Sequence, residues 1–177
     1  MNTWFTSDQH YWHTNILHHS HRPFESVTLM NEELIKRHNE RVAKTDTVYY
    51  LGDVCLGAPS EILNRLNGRK HLIQGNHDER WISKYHSGNW FQSINQVKLV
   101  KIDEQQIWLS HYPHESWPSS HYGTWNLHGH SHGGSRKVRN RCDVGVDCWD
   151  LYPVSFEQLQ THFATVDQEV QDGHQAR

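Results

Sequence analysis

An α/β fold is predicted by three features of this 177-residue chain. Short β-forming runs alternate with segments of helical periodicity. Thr47 to Leu51 is a near-continuous apolar run closed by Gly52-Asp53, as expected of a strand buried on both faces. Seven side chains with metal-ligand chemistry, Asp8, His10, Asp53, Asn76, His111, His130 and His132, each fall just past the end of a predicted strand. Open α/β sheets bind their ligands at the carboxyl ends of strands, so this convergence carries more weight than any one residue.

The elements follow in order. Thr3 to Ser7 reads as a short strand ending at Asp8-Gln9-His10. From Thr28 to Val42, Met30, Leu34, Ile35 and Val42 recur at helical spacing, and Glu32 and Glu33 are expected in the first turn, where the helix dipole favours acids. Thr47 to Leu51 is the strand that delivers Asp53. Ser60 is expected to cap a short helix through Leu66, ended by Asn67-Gly68. His71 to Gln74 is the next strand, leading into Gly75-Asn76-His77-Asp78, and a helix to Tyr85 starts there with backbone N–H groups aimed at the site. Val97 to Ile102 and Gln106 to Ser110 form a hairpin around Asp103-Glu104, and its second strand runs into His111. Thr124 to His128 leads into Gly129-His130-Ser131-His132. Arg141 to Cys148 adds a strand and Ser155 to Phe163 a closing helix. Residues 1–163 are expected to form one domain and 164–177 a polar, frayed tail.

Composition narrows the function. The formal charge is −3 with all 17 histidines neutral, and no basic stripe is present to track a duplex, so extended nucleic-acid binding is not expected and small phosphorylated substrates are. No run approaches the roughly 20 apolar residues of a membrane span, and Met1-Asn2-Thr3-Trp4-Phe5 lacks the pattern of a cleaved signal. A cytoplasmic location is expected. Cys55, Cys142 and Cys148 form no CxxC pair and read as small buried hydrophobes rather than ligands or nucleophiles.

Two aspartates, one asparagine and four histidines supply hard oxygen and imidazole donors and no thiolate. That chemistry suits two divalent cations about 3.5–4 Å apart with open positions for water and substrate. The ordered pieces Asp8-x-His10, Gly52-Asp53, Gly75-Asn76-His77-Asp78, His111 and Gly129-His130-x-His132 resemble the signature of the calcineurin-like metallophosphoesterases over roughly residues 1 to 160.

The resemblance implies a four-layer sandwich of two mixed β-sheets flanked by helices. It implies that one metal is held by Asp8, His10 and His132 and the other by Asn76, His111 and His130, with Asp53 bridging. Manganese is expected first, with Fe, Ni, Zn and Mg as alternatives. It further implies that His77 stands near the scissile phosphate as a donor and that Asp78 orients it. The expected activity is a binuclear metal-dependent phosphodiesterase acting on a small nucleotide-like diester. A nucleotide or phosphoprotein monoesterase is the alternative, followed by a nuclease and by a metal-binding interaction module without turnover. Oligomeric state is left open.

Around the motifs, His13 and Arg22 are candidate substrate-binding residues; Arg22 either forks onto a substrate phosphate or pairs with a carboxylate. His128 is assigned to the core or to support of the ligands. Trp117 and Trp125, beside His114, are candidates for stacking on a base, against the alternative of core packing. His18, His19 and His21 read as a solvated turn.

Overall fold

The computed structural model describes residues 1–85 and 90–165. Among these residues, nine strands make two mixed sheets. The first has the order β4-β3-β2-β1-β9, with β1 Thr3–Thr6, β2 Thr47–Tyr50, β3 Arg69–Ile73, β4 Phe91–Asn95 and β9 Val154–Ser155. β1 to β4 are mutually parallel and β9 is antiparallel to β1. The second sheet is β5-β6-β7-β8, with β5 Val97–Ile102, β6 Gln105–Ser110, β7 Trp125–His128 and β8 Arg141–Asp143. β5 and β6 are the expected hairpin; β6, β7 and β8 run parallel. This is the two-sheet arrangement with helices that the resemblance implied.

Side-chain alternation along the first sheet divides the interior into two cores. Trp4, Val48, Tyr50 and Leu72 point to one face and meet Met30, Leu34 and Ile35 of α2 (Val27–Arg41), Ile62 and Leu63 of α3 (Pro59–Leu63) and Trp81 of α4 (Glu79–Tyr85). Phe5, Leu51 and Ile73 point to the other and meet Ile107, Leu109 and Leu127 of the second sheet, with Phe156 and Leu159 of α5 (Phe156–Thr165). A sheet buried on both sides reads as an unbroken apolar run, which is why β2 was legible. The four-residue turn Ile16–His19, α1, precedes α2.

Several boundaries differ from expectation. α2 starts one residue earlier, with Ser26 Oγ accepting from Leu29 N at 3.2 Å, so Glu32 and Glu33 lie beyond its first turn. They pair instead with Arg65 and Arg37. Ser60 does not cap α3: Ala58 is the N-cap without a side-chain bond, and Pro59 opens the helix because its missing N–H costs nothing there. The strand expected over 141–148 stops at Asp143 and gives way to a 3₁₀ turn, Val146–Cys148. α5 continues to Thr165, and the rest of the expected tail lies outside the described residues. No described helix is long and apolar enough to cross a membrane.

Candidate functional site

The parallel strands deliver the seven candidate ligands to one place. Asp8 and His10 follow β1, Asp53 follows β2, Asn76 follows β3, His111 follows β6, and His130 and His132 follow β7. Five of them hold left-handed backbone: Asp8 (φ 58°), His10 (53°), Asp53 (53°), His130 (66°) and His132 (45°). Non-glycine residues in this region cost about 1–3 kcal/mol each and persist only where the surroundings hold them there, which is why they gather at functional sites. The neighbouring glycines let the loops close up. A Cβ on Gly129 would stand 2.0 Å from Ser7 Oγ and 2.4 Å from Asp8 Oδ2, and one on Gly75 would stand 2.3 Å from Asp53 Oδ1.

Asp53 lies at the centre. Its Oδ2 is 3.6 Å from His111 Nε2, 3.7 Å from His10 Nε2 and 3.9 Å from His77 Nε2. Ligand atoms of Asp8, His10 and His132 lie within 4.8 Å of one another, as do those of Asp53, His111 and His130 and those of His10, Asp53 and His77. Asn76 Oδ1 joins the second group at 3.0 Å from His111 Nε2. The donor set fits a cation on one direct observation: Asp8 Oδ1 and His10 Nε2, 4.0 Å apart, are both buried and make no hydrogen bond. Leaving such atoms unpaired costs about 1–3 kcal/mol each, and a divalent ion accepts a lone pair from both.

Charge states are consistent with that fit. Burial raises the Asp8 carboxyl to about 7 despite the opposing pull of His111 and His132. Burial also lowers His10 to about 3, against the pull of Asp53, so its imidazole is neutral and able to ligate. Burial would raise Asp53 as well, but the hydrogen bond and charge of His111 prevail and hold it at about 2. A cation beside Asp8 would favour its ionised form.

Behind the ligands stands a charged scaffold. His132 Nδ1 lies 2.6 Å from Asp147 Oδ2. Arg22 grips the same carboxylate through two bonds of 2.8 Å and donates to the backbone oxygens of Asp8 (2.6 Å) and Gln9 (2.7 Å). Arg22 thereby ties the Asp8-Gln9-His10 loop to the His132 loop. A carboxylate on the rear nitrogen of a ligating histidine fixes its tautomer and orientation. Sequence reasoning missed Asp147; the one signal was a second carboxylate four residues after Asp143, downstream of Gly-His-x-His.

Two expected roles are corrected. Arg22 is 5% exposed and fully engaged, so it does not fork onto substrate and takes the carboxylate-paired alternative. Asp78 does not orient the His77 ring. Its oxygens accept from the backbone N–H groups of Asp53, Val54 and Gly75 and from Trp81 Nε1, at 2.8–3.0 Å, which holds the Asp53 loop against the Asn76 loop. His77 itself aims at the cluster, and its backbone N–H donates to Asp53 Oδ1 at 2.9 Å. His13 sits at the edge, its Nδ1 3.2 Å from His10 Nδ1.

The remaining candidates fall outside the cluster. His128 is buried on the Gly129 carbonyl. Trp117 is buried and donates to Thr124 O, Trp125 packs on Phe156 and Phe163, and His114 meets Trp108, so none of these offers a free face to a base. His18, His19 and His21 are exposed. Cys55 and Cys142 are buried with thiol pKa values pushed up by burial, whereas Cys148 is exposed, contrary to expectation.

The chain is 32% identical over 165 residues to an uncharacterized protein, MJ1445, of Methanocaldococcus jannaschii, covering 86% of each. It is 30% identical over 188 residues to the gene 66 protein of Mycobacterium phage D29, covering 86% of this chain and 92% of that one. The chain belongs to their family. Within solved structures, a protein of unknown function from Aquifex aeolicus, AQ665, superposes with a TM-score of 0.70 and 22% identity, over 91% of this chain and 98% of the other. That match shows a shared fold. No family model matches the chain. Coverage of 86% or more on both sides means that the likeness runs over most of the chain rather than over one motif.

Proposed function

We propose that this protein is a calcineurin-like metallophosphoesterase, and within that class a phosphodiesterase acting on a small nucleotide-like diester. The observation that carries the reading is the central Asp53 carboxylate, with its Oδ2 within 3.9 Å of His10, His77 and His111. The orphaned pair Asp8 Oδ1 and His10 Nε2 beside it supports resident cations. Asp8, His10 and His132 would hold one ion and Asn76, His111 and His130 the other, with Asp53 shared, manganese being the first candidate. Bound there, divalent cations supply the Lewis acidity that activates water and neutralises phosphoryl charge.

The chain's own groups do the rest. His77, at 40% side-chain exposure, is open to substrate and presents a ring nitrogen to the leaving group. Water adds to phosphorus, the ester P–O bond breaks, and the departing oxygen takes a proton held at His77. Of the water's two protons, one returns to His77 and the other leaves to solvent. Arg22 is bound to Asp147, so that arginine does not meet a substrate phosphate. The net charge of −3 supports a small soluble substrate, acted on in the cytoplasm without a membrane or extended nucleic acid.

The experiment is hydrolysis of bis(p-nitrophenyl) phosphate and p-nitrophenyl phosphate by metal-stripped protein titrated with Mn, Mg, Ni and Zn. Metal-dependent turnover favouring the diester is expected. Turnover of the monoester alone would replace the reading with a phosphatase, and metal binding without turnover of either would replace it with a binding module.

A further inference from the structure

His77 lines a second space besides the ligand cluster. A cavity of about 300 Å³ opens between α4 and the 56–58 loop, bounded by Leu56, Ala58, His77, Arg80, Lys84 and Tyr85. Arg80 and Lys84 are one helical turn apart and so share a face of α4. Trp81, between them in sequence, faces the core and is tied to Asp78, which fixes the rotation of the helix. The Lys84 ammonium lies 5.2 Å from the centroid of the Tyr85 ring, a cation–π contact that limits where it reaches.

Among the described residues, no ion pair joins Arg80 or Lys84 to an acid, whereas Arg22, Arg37, Arg65 and Arg136 each have one. Two cations facing a cavity whose described lining residues include no carboxylate leave a local positive potential in a chain of net charge −3. The cavity begins at His77, the residue that the phosphoesterase reading turns toward the leaving group.

We propose that this cavity is an anion subsite for the leaving-group side of the substrate, taking a second phosphate carried by the departing alcohol. The assignment rests on the phosphoesterase reading and sharpens its substrate class to diesters that bear a further terminal phosphate. Arg80 offers a planar fork to phosphate oxygens and Lys84 a point charge beside it.

The test compares kcat/KM of the Mn-loaded protein for the dinucleotide ApA and for its terminally phosphorylated forms pApA and ApAp. The same set is run on the Arg80→Gln/Lys84→Gln double variant, with manganese content and circular dichroism as checks on its fold. Where the double variant fails to fold, Arg80→Gln and Lys84→Gln are read singly. A terminal phosphate is expected to raise kcat/KM by up to about fivefold per cation, the scale of a solvent-accessible ion pair. That preference should collapse in the variant.

Equal rates on all three dinucleotides in the unaltered protein, or a preference that survives the substitutions, overturns the subsite. Absence of turnover on any ester defeats the phosphoesterase reading separately. Calorimetric affinity of pApA and ApAp then decides the subsite alone: weaker binding by the variant sustains it, and equal binding overturns it.

Discussion

The two halves of the cluster are built differently. Asp8, His10 and His132 sit against a scaffold built on Arg22 and Asp147, and Asp8 and His10 are at most 3% exposed. Asn76 and His130 are exposed, and their neighbours are the 48%-exposed Tyr112, whose hydroxyl donates to Asn76 Oδ1 at 3.3 Å, and His111, anchored on the Leu51 carbonyl at 2.7 Å. The first half is preorganised and closed. The second is reachable from solvent, and Asp53 and His77 lie between the two. The difference teaches that one end of such a site can be given to holding its shape and the other to exchange of water, substrate and product.

Substituting Asp53, whose Oδ2 lies against His10 of one half and His111 of the other, should do most damage. Asp53→Asn is expected to remove metal from both halves and lower turnover by about a thousandfold or more, several kcal/mol of lost charge stabilisation; elemental analysis beside diester kinetics reads both. Wild-type metal content in that variant would contradict the central placement. His77→Ala should keep its metal and lose about 10²- to 10⁴-fold in kcat, the scale of a general acid. A parallel fall in metal content would make His77 a ligand instead.

Asp147→Asn separates the halves. Metal affinity is expected to weaken about 10- to 100-fold at the first ion while the second keeps its own, as for other carboxylates behind a ligating histidine. Stepwise calorimetric titration resolves the two, and equal weakening would erase the asymmetry. The smallest effect is expected from Tyr112→Phe, which deletes one exposed hydrogen bond of the open half, worth about 0.5–1.5 kcal/mol. It should change affinity at the second ion by no more than about tenfold, and a loss as large as that of Asp147→Asn would show the open half to be as dependent on its support as the closed one.

What the sequence made legible follows the same division between local and distant causes. β2 and α2 carry their own periodicity, so both were expected within a residue or so of where they lie. β4 and β9 were missed because Phe91–Asn95 and Val154–Ser155 show no pattern of their own and are strands only by pairing with β3 and β1. The site residues brought together were readable because each follows a strand and, in four of the five pieces, keeps company with glycine or a second ligand. The roles of Arg22 and Asp78 were not, because they depend on partners 125 and 24–25 residues away. No spacing rule reports which carboxylate an arginine will meet.

The Arg22 clamp also sets an order of events during synthesis. Ribosomes deliver the amino-terminal segments first, and domains form as their last contacts arrive. Asp8, His10 and Arg22 emerge long before His132, Asp147 and the β9 residues Val154–Ser155 that pair with β1. The closed half therefore cannot be completed until nearly the whole domain has left the exit tunnel, so a nascent chain has the first two candidate ligands but no finished cage in which to trap whichever ion comes by.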